Sequence, residues 1–433
     1  MKIKFYLFGL LLMGCLTSCL EGSTSSTAVS DEPVITNFYL YSDSVKGISD
    51  YVFLINEDSM LIYNYDSIDY GTRIDSLGFT ITPRFHAVYI NDTLDFYAMK
   101  DVCLDFRNEV KITVVASDKK TSADYRVRVN VHTVDPDTFI WNGVKSEVFV
   151  GNAQTEKALW FNGRLLYFAV VDNDLVANES VDGVNWKALN VSGFDVNFAS
   201  ADFNYLIGTE DFIYYFVDGE LYKSADGEIW TSEVITGIAV EHLLFAMNSK
   251  IFGVTEENGI ARLDGGMWTD LGVLPSGFPV KGAAMMVAPA PSGRERVFVV
   301  GGIDVNGGFL SSMWSSEDGA YWSDMTGGKV QFTPRAYAAM AQYGGGLMLF
   351  GGVGADDVVV KDAQLYSKDF GLNWGEPKAK SEIGDMYLPR YGHSAVVTPS
   401  GYIYLIGGRA SSATSINDVW MGLNYASLPG FRR

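Results

Sequence analysis

Three stretches of this 433-residue chain open on a basic residue and run on into small and apolar ones: Lys281-Gly-Ala-Ala-Met-Met-Val, Arg335-Ala-Tyr-Ala-Ala-Met-Ala and Arg390-Tyr-Gly-His-Ser-Ala-Val. As equivalent strands they would carry their cations at one register. With Arg409 those cations would form a basic cluster able to hold a carboxylate or sulfate, the guanidinium forks fixing its orientation. The same groups could instead satisfy backbone carbonyls or pair with Asp304 and Asp385, because structural ion pairs also gather in clefts. Tyr337 and Tyr391 follow the two arginines and offer either a face for a sugar ring or filling between sheets. His86, His132, His242 and His393 lie far apart, and no Cys/His spacing fits zinc, so neither a metal nor another cofactor is expected. The formal net charge of −20 argues against nucleic acid and anionic lipid surfaces as partners.

The elements that must position these residues are repeated. Ser180-Val-Asp182-Gly183-Val-Asn-Trp186, Ser224-Ala-Asp226-Gly227-Glu-Ile-Trp230, Arg262-Leu-Asp264-Gly265-Gly-Met-Trp268 and Ser316-Glu-Asp318-Gly319-Ala-Tyr-Trp322 share one spacing, and Ser367-Lys-Asp369-Phe-Gly371-Leu-Asn-Trp374 adds one residue. Ser and Asp side chains can bond amides inside a tight hairpin, Gly supplies a positive φ, and Trp packs on the sheet just after. The five copies resemble the Asp-box, or BNR repeat. A second repeat, an apolar strand ending in Gly301-Gly302, Gly351-Gly352 or Gly407-Gly408 with Trp314, Tyr366 or Trp420 one strand later, resembles the kelch repeat. Stacked together, the repeats predict an all-β, six-bladed kelch-like β-propeller over residues 138–425. Its last blade lacks a fourth strand after Asp418-Val-Trp420-Met. Phe139-Ile-Trp141-Asn is expected to supply it, closing the propeller with an N-terminal strand and leaving no open edge. The basic cluster then falls on the face opposite the Asp-box hairpins.

Upstream, Met1-Lys2-Ile3-Lys4, an apolar run and Leu16-Thr17-Ser18-Cys19 follow the order of a secretory signal, too short to remain as a membrane span. The last four residues resemble a bacterial lipobox, which implies a signal peptide over 1–18 and a lipidated Cys19. Cleavage removes two lysines and no acid, deepening the negative charge. It also leaves Cys103 without a disulfide partner, so Cys103 is expected as a small buried hydrophobe. Residues 19–33 are a polar tether. Period-two runs over 34–136, among them Ile35-Thr-Asn-Phe-Tyr-Leu, Val110-Lys-Ile-Thr-Val-Val and Tyr125-Arg-Val-Arg-Val-Asn-Val, predict an immunoglobulin-like sandwich. Five Asp-Ser/Thr-apolar triplets within it, such as Asp43-Ser-Val and Asp92-Thr-Leu, resemble O-glycan acceptors of the Bacteroides group and equally suit turn starts.

Asp-boxes also occur in sialidases, but no Arg-Ile-Pro occurs here, and the propeller has no Cys for a copper-radical centre of the kelch type. The whole arrangement resembles a functionally uncharacterised family of Bacteroides-group lipoproteins. That resemblance implies architecture and an outer-membrane address without an activity; the expected function is that of a non-catalytic binding module that recognises a glycan, including an acidic one, or an envelope protein through the channel mouth. An enzyme acting on acidic sugars, either a glycosidase or a mutarotase, and an envelope scaffold are the alternatives.

Overall fold

The computed structural model describes residues 31–424, apart from 85, 99–102, 134, 136–137, 290–292, 344–345, 362–363 and 378–380. The expected signal segment, Cys19 and most of the tether lie outside the described residues. The chain divides into two compact units, Met1–His132 and Thr133–Arg433.

In the first unit Val34–Tyr41 pairs antiparallel with Gly78–Arg84, and a six-stranded sheet runs in the order Phe53–Asn56, Leu61–Asn64, Ser122–Arg128, Val110–Val115, Ala87–Ile90, Leu94–Asp95. Alternation sets the faces: Val110, Ile112 and Val114 are buried while the residues between them are partly exposed. One core joins both sheets, Phe38 and Phe79 from the pair meeting Ile62, Val88 and Ile112 from the larger sheet. Leu61–Asn64 runs parallel to Ser122–Arg128, which a chain of hairpins alone would not produce. Cys103 corrects its expectation. Its neighbour Leu104 bridges Leu77 and points inward, so the alternation turns the thiol out to solvent.

The second unit holds six sheets of three to five strands among the described residues, together with a two-stranded ribbon, Arg409–Ser411 with Thr414–Ser415. Ala153–Phe161, Ile207–Gly208, Val240–Met247, Ala284–Pro289, Ala339–Tyr343 and Ser394–Val397 are their leading strands. The leading strands of neighbouring sheets touch, and that of the sixth sheet lies against that of the first. Second strands are apolar on both faces because each sheet is covered by its neighbours, and Leu165 through Val170 are wholly buried. Phe139–Lys145 pairs antiparallel with Val419–Asn424 as the outermost strand of the sixth sheet, Trp141 opposite Gly422. The indole covers that glycine so closely that a Cβ on it would sit 2.5 Å from the ring.

Four of the five Trp-anchored hairpins share one bonding pattern. At Asp226 the carboxylate accepts from the amides of Glu228 and Ile229 at 2.8 and 2.9 Å and from the Ser224 hydroxyl at 3.0 Å, while Ser224 Oγ accepts the Gly227 amide at 2.8 Å. Asp182, Asp318 and Asp369 repeat this pattern. The third copy departs from the expectation. Arg262 replaces the serine, Asp264 pairs with Arg262 and Lys250 instead of with amides, and the strands turn tightly through Gly265-Gly266 at φ 58° and 82°. Without the Ser hydroxyl there is no second acceptor for the turn amides, and two consecutive glycines make the reversal themselves. The hairpin glycines pack on the preceding sheet, Gly183 against the Tyr404 ring and Gly319 against Phe252.

Candidate functional site

The three cation-bearing stretches enter their sheets alike, yet the register differs from the expected one by a residue. Ala284, Ala339 and Ser394 pair with Val300, Phe350 and Ile406, each just before its Gly-Gly. This aligns Pro279-Val280-Lys281-Gly282 with Pro334-Arg335-Ala336-Tyr337 and Pro389-Arg390-Tyr391-Gly392, so Lys281 matches Ala336 and Tyr391, and Val280 stands where the arginines do. Bridges from Lys281 to Ile303, Ala336 to Val353 and Tyr391 to Arg409 fix the same alignment. Lys281 is exposed and lines neither of the two hollows described below.

Arg335 and Arg390 are not presented to a ligand. Arg390 is 0% exposed and donates to the carbonyls of Leu388 and Gly407 at 2.9 and 3.0 Å. It also forks onto Asp418, with Nη2 to Oδ2 at 3.2 Å, and lies over the Tyr387 ring at 4.3 Å. Arg335, 1% exposed, donates to Thr333 and Gly351 carbonyls at 3.0 Å each. The carbonyl reading of these cations therefore replaces the ligand reading. Each guanidinium braces the Gly-Gly turn of its own sheet, while its backbone carbonyl receives the turn of the sheet before: Gly302 donates to Arg335 O at 2.7 Å and Gly352 to Arg390 O at 2.9 Å. A Cβ on Gly351 would lie 2.1 Å from Arg390 O, so only glycine allows that approach.

At the junction of the sixth sheet with the first, a side chain takes over this carbonyl's part. Gly408 N–H donates to Glu156 Oε1, and the Tyr167 hydroxyl donates to Oε2. Burial pushes the Glu156 carboxyl up to about 8, against the pull of Tyr167, Gly408, Arg409 and Arg390. Tyr167, buried beside it, is raised well above the ordinary phenol.

Above Glu156 opens a hollow of about 390 Å³ lined by Gln154, Thr155, Asp202, Asn204, Tyr337, Tyr391 and Arg409 among others. Arg409 forms part of its wall, but Nη1 is held by the carbonyls of Ala153 and Gln154 and Nη2 by that of Ser412. Asp202 caps the short helix Phe203–Tyr205, its Oδ1 accepting from the Asn204 amide and side chain at 3.1 and 2.7 Å. The rings of Tyr337 and Tyr391 stand 6.4 Å apart, inclined at 52°. Burial and the Asp202 carboxylate raise Tyr337 to about 12, so it is a neutral hydroxyl at working pH. Tyr337 holds a left-handed backbone at φ 53°, whereas the equivalent residues are Gly282 and Gly392 at φ 63° and 68°.

A second hollow, about 100 Å³, continues between the leading strands and shares Asn204, Tyr337 and Gly392 with the first. Its walls include Lys157, Tyr205 and His393, with Ala283, Ala284, Ala338, Ala339 and Ala395 leaving the space. Burial lowers His393 to about 3, with Arg390 and Lys157 adding to the effect, and lowers His242 to about 4. No cluster of three His, Cys, Asp or Glu placed to hold a metal ion occurs among the described residues.

Of the six expected ligand residues the structure brings Tyr337, Tyr391 and Arg409 together at one hollow, buries Arg335 and Arg390 behind it, and leaves Lys281 outside. Sequence reasoning missed Glu156, Lys157, Asp202 and Asn204. The available signal was Thr155-Glu156-Lys157, three polar residues in succession inside a leading strand, opposite Val170, Ala169 and Phe168 of its partner.

Among solved structures the chain is similar to one described as "Structure of YjhT", with 12% identity, a TM-score of 0.44, and coverage of 64% of this chain and 96% of that one. No curated protein matches it. Residues 24–129 match the domain described as the DUF6242 N-terminal domain, of unknown function, and residues 135–428 the DUF6242 beta propeller domain. With both domains present in order across nearly the whole sequence, the chain belongs to the DUF6242 family and its second unit is a β-propeller.

Proposed function

We propose that this protein is a non-catalytic glycan-binding lipoprotein, anchored to the outer membrane through Cys19, whose propeller captures a sugar at the mouth of its channel. The six sheets are then six kelch-like blades sealed by Phe139–Lys145, the Trp-anchored hairpins are Asp-boxes on the opposite face, and the first unit is an immunoglobulin-like spacer.

The observation that carries this reading is Tyr337. A bulky side chain in the left-handed region costs about 1–2 kcal/mol, and the two equivalent positions avoid that cost with glycine. Strain retained at one of three matching sites, where the side chain walls a hollow, is the pattern of a functional position. Two tilted phenol rings, an acidic acceptor at Asp202 and nearby amides suit the alternating apolar faces and hydroxyls of a sugar. On a glycan array, wild-type protein should mark a defined set of glycans that Tyr337→Gly and Tyr391→Ala lose. Retention by both variants would move the site elsewhere. For the anchor, Cys19→Ser should shift the protein from the membrane to the soluble fraction.

An enzymatic reading rests on Glu156, a carboxyl raised to about 8 at the edge of the hollow. Both of its oxygens are already engaged, one by the Gly408 amide of the neighbouring sheet and the other by Tyr167 of its own sheet, which favours a structural part. Turnover of a uronic or sialic acid substrate that Glu156→Gln abolishes would restore the enzymatic reading.

A further inference from the structure

The smaller hollow carries charge that nothing within it balances. Lys157 sits half-buried in the middle of a leading strand, and Asp202, the acid whose charge acts on it, belongs to the wall of the outer hollow. His393 is 5% exposed, and neither of its ring nitrogens has a hydrogen-bond partner among the described residues. No carboxylate lines this space among the described residues. Lys157 offers an ammonium, His393 one ring N–H in its neutral form, and Tyr205 a hydroxyl, while Arg390 stands behind His393 and adds positive potential. The alanines and glycines that open the three later leading strands keep out side chains that could fill the gap. A metal cation is disfavoured beside Lys157. A two-oxygen anion could accept from Lys157 and His393 together, and a single carboxylate group is of the size that the hollow admits.

We propose that the floor of the channel, between Lys157 and His393, is a carboxylate-binding site. Because the two hollows share Asn204, Tyr337 and Gly392 as walls, the sugar at the mouth then carries its acid group downward. This deepens the glycan reading and rests on it for the identity of the ligand, although not for the existence of the anion site. It also assigns the acid-binding role to Lys157 and His393, not to the buried arginines.

The test is calorimetric titration of the intact protein with sodium glucuronate, glucose and sodium acetate at constant ionic strength. Glucuronate should bind at least tenfold more tightly than glucose, and acetate should compete with glucuronate but not with glucose. Lys157→Met should abolish acetate binding and reduce glucuronate to the affinity of glucose, and His393→Gln should weaken both anions by a smaller factor. The wild-type competition result stands even if a variant fails to fold. Equal binding of glucuronate and glucose with no acetate binding would overturn the proposal and leave the mouth reading intact. Acetate binding that depends on Lys157, with neither sugar bound, would uphold the anion site and remove the sugar from the mouth. Absence of binding by all three probes would overturn both.

Discussion

At the residue scale, the guanidinium groups of Arg335 and Arg390 are engaged by backbone carbonyls. Arg335, Arg390, Tyr337 and Tyr391 all stand where the repeats suggest, at the starts of leading strands. Their roles depend on partners far along the chain: Gly302 and Gly351 for Arg335, and Gly352, Gly407 and Asp418 for Arg390. A one-residue error in aligning Lys281 was also invisible until strand pairing set the register. Arg390→Ala should therefore act as a folding mutation. It takes the guanidinium away from two carbonyls and from Asp418, which keeps its bond from the Trp420 indole, at a cost of about 3–5 kcal/mol, to be read by urea denaturation. Loss of glycan binding without loss of stability would contradict this role. Tyr337→Gly should do the reverse. Relief of about 1–2 kcal/mol of backbone strain offsets the lost ring contact with Gly282, so stability should stay within about 1 kcal/mol of wild type while binding disappears.

At the element scale the strands and hairpins were legible because their signals are local. Alternation gave the faces of the first unit, and the Ser-x-Asp hairpins bond within themselves. The third hairpin shows the limit: Asp, Gly and Trp recur at the right spacing, but the serine that completes the turn is missing and Asp264 turns to Arg262 and Lys250. Paired substitutions separate the two kinds of hairpin. Asp226→Ala removes an acceptor shared by two amides and a hydroxyl and should cost about 1–3 kcal/mol. Asp264→Ala breaks only solvent-screened pairings with Arg262 and Lys250 and should cost clearly less. Equal losses in thermal denaturation would show that the hairpins are alike after all.

At the scale of the whole molecule, the meeting of the sixth sheet with the first depends on contacts between residues more than 230 positions apart, which sequence could suggest only through a missing fourth strand. The strand Phe139–Lys145 completes the outer edge, while at the leading strands Ser394 Oγ accepts the Ala158 amide at 2.8 Å and Glu156 receives Gly408. Glu156 had no repeat to announce it, because it stands in for a backbone carbonyl that Arg335 and Arg390 supply at two other junctions. Its raised carboxyl gives the seam a pH dependence. A proton held more tightly in the folded state adds stability that is complete below about 4.5 and is lost as pH rises to about 8. His242 and His393, lowered to about 4 and 3, act oppositely, adding stability up to their ordinary value of 6.5. Between pH 6.5 and 8 only the Glu156 slope remains of these three, so wild-type stability should fall across that window by on the order of 1 kcal/mol per unit. Glu156→Gln should flatten the fall, and an unchanged slope would mean the carboxyl is ionised in the folded state.

The central claim, that a sugar is held at the channel mouth by Tyr337, is tested most directly by a crystal structure of the intact protein with the strongest glycan from the array. The expected result is a pyranose ring against Tyr337, between Tyr391 and Asp202, in the hollow above Glu156. Electron density for the glycan on the Trp-anchored hairpin face, or on the first unit with the hollow free of sugar, would contradict it.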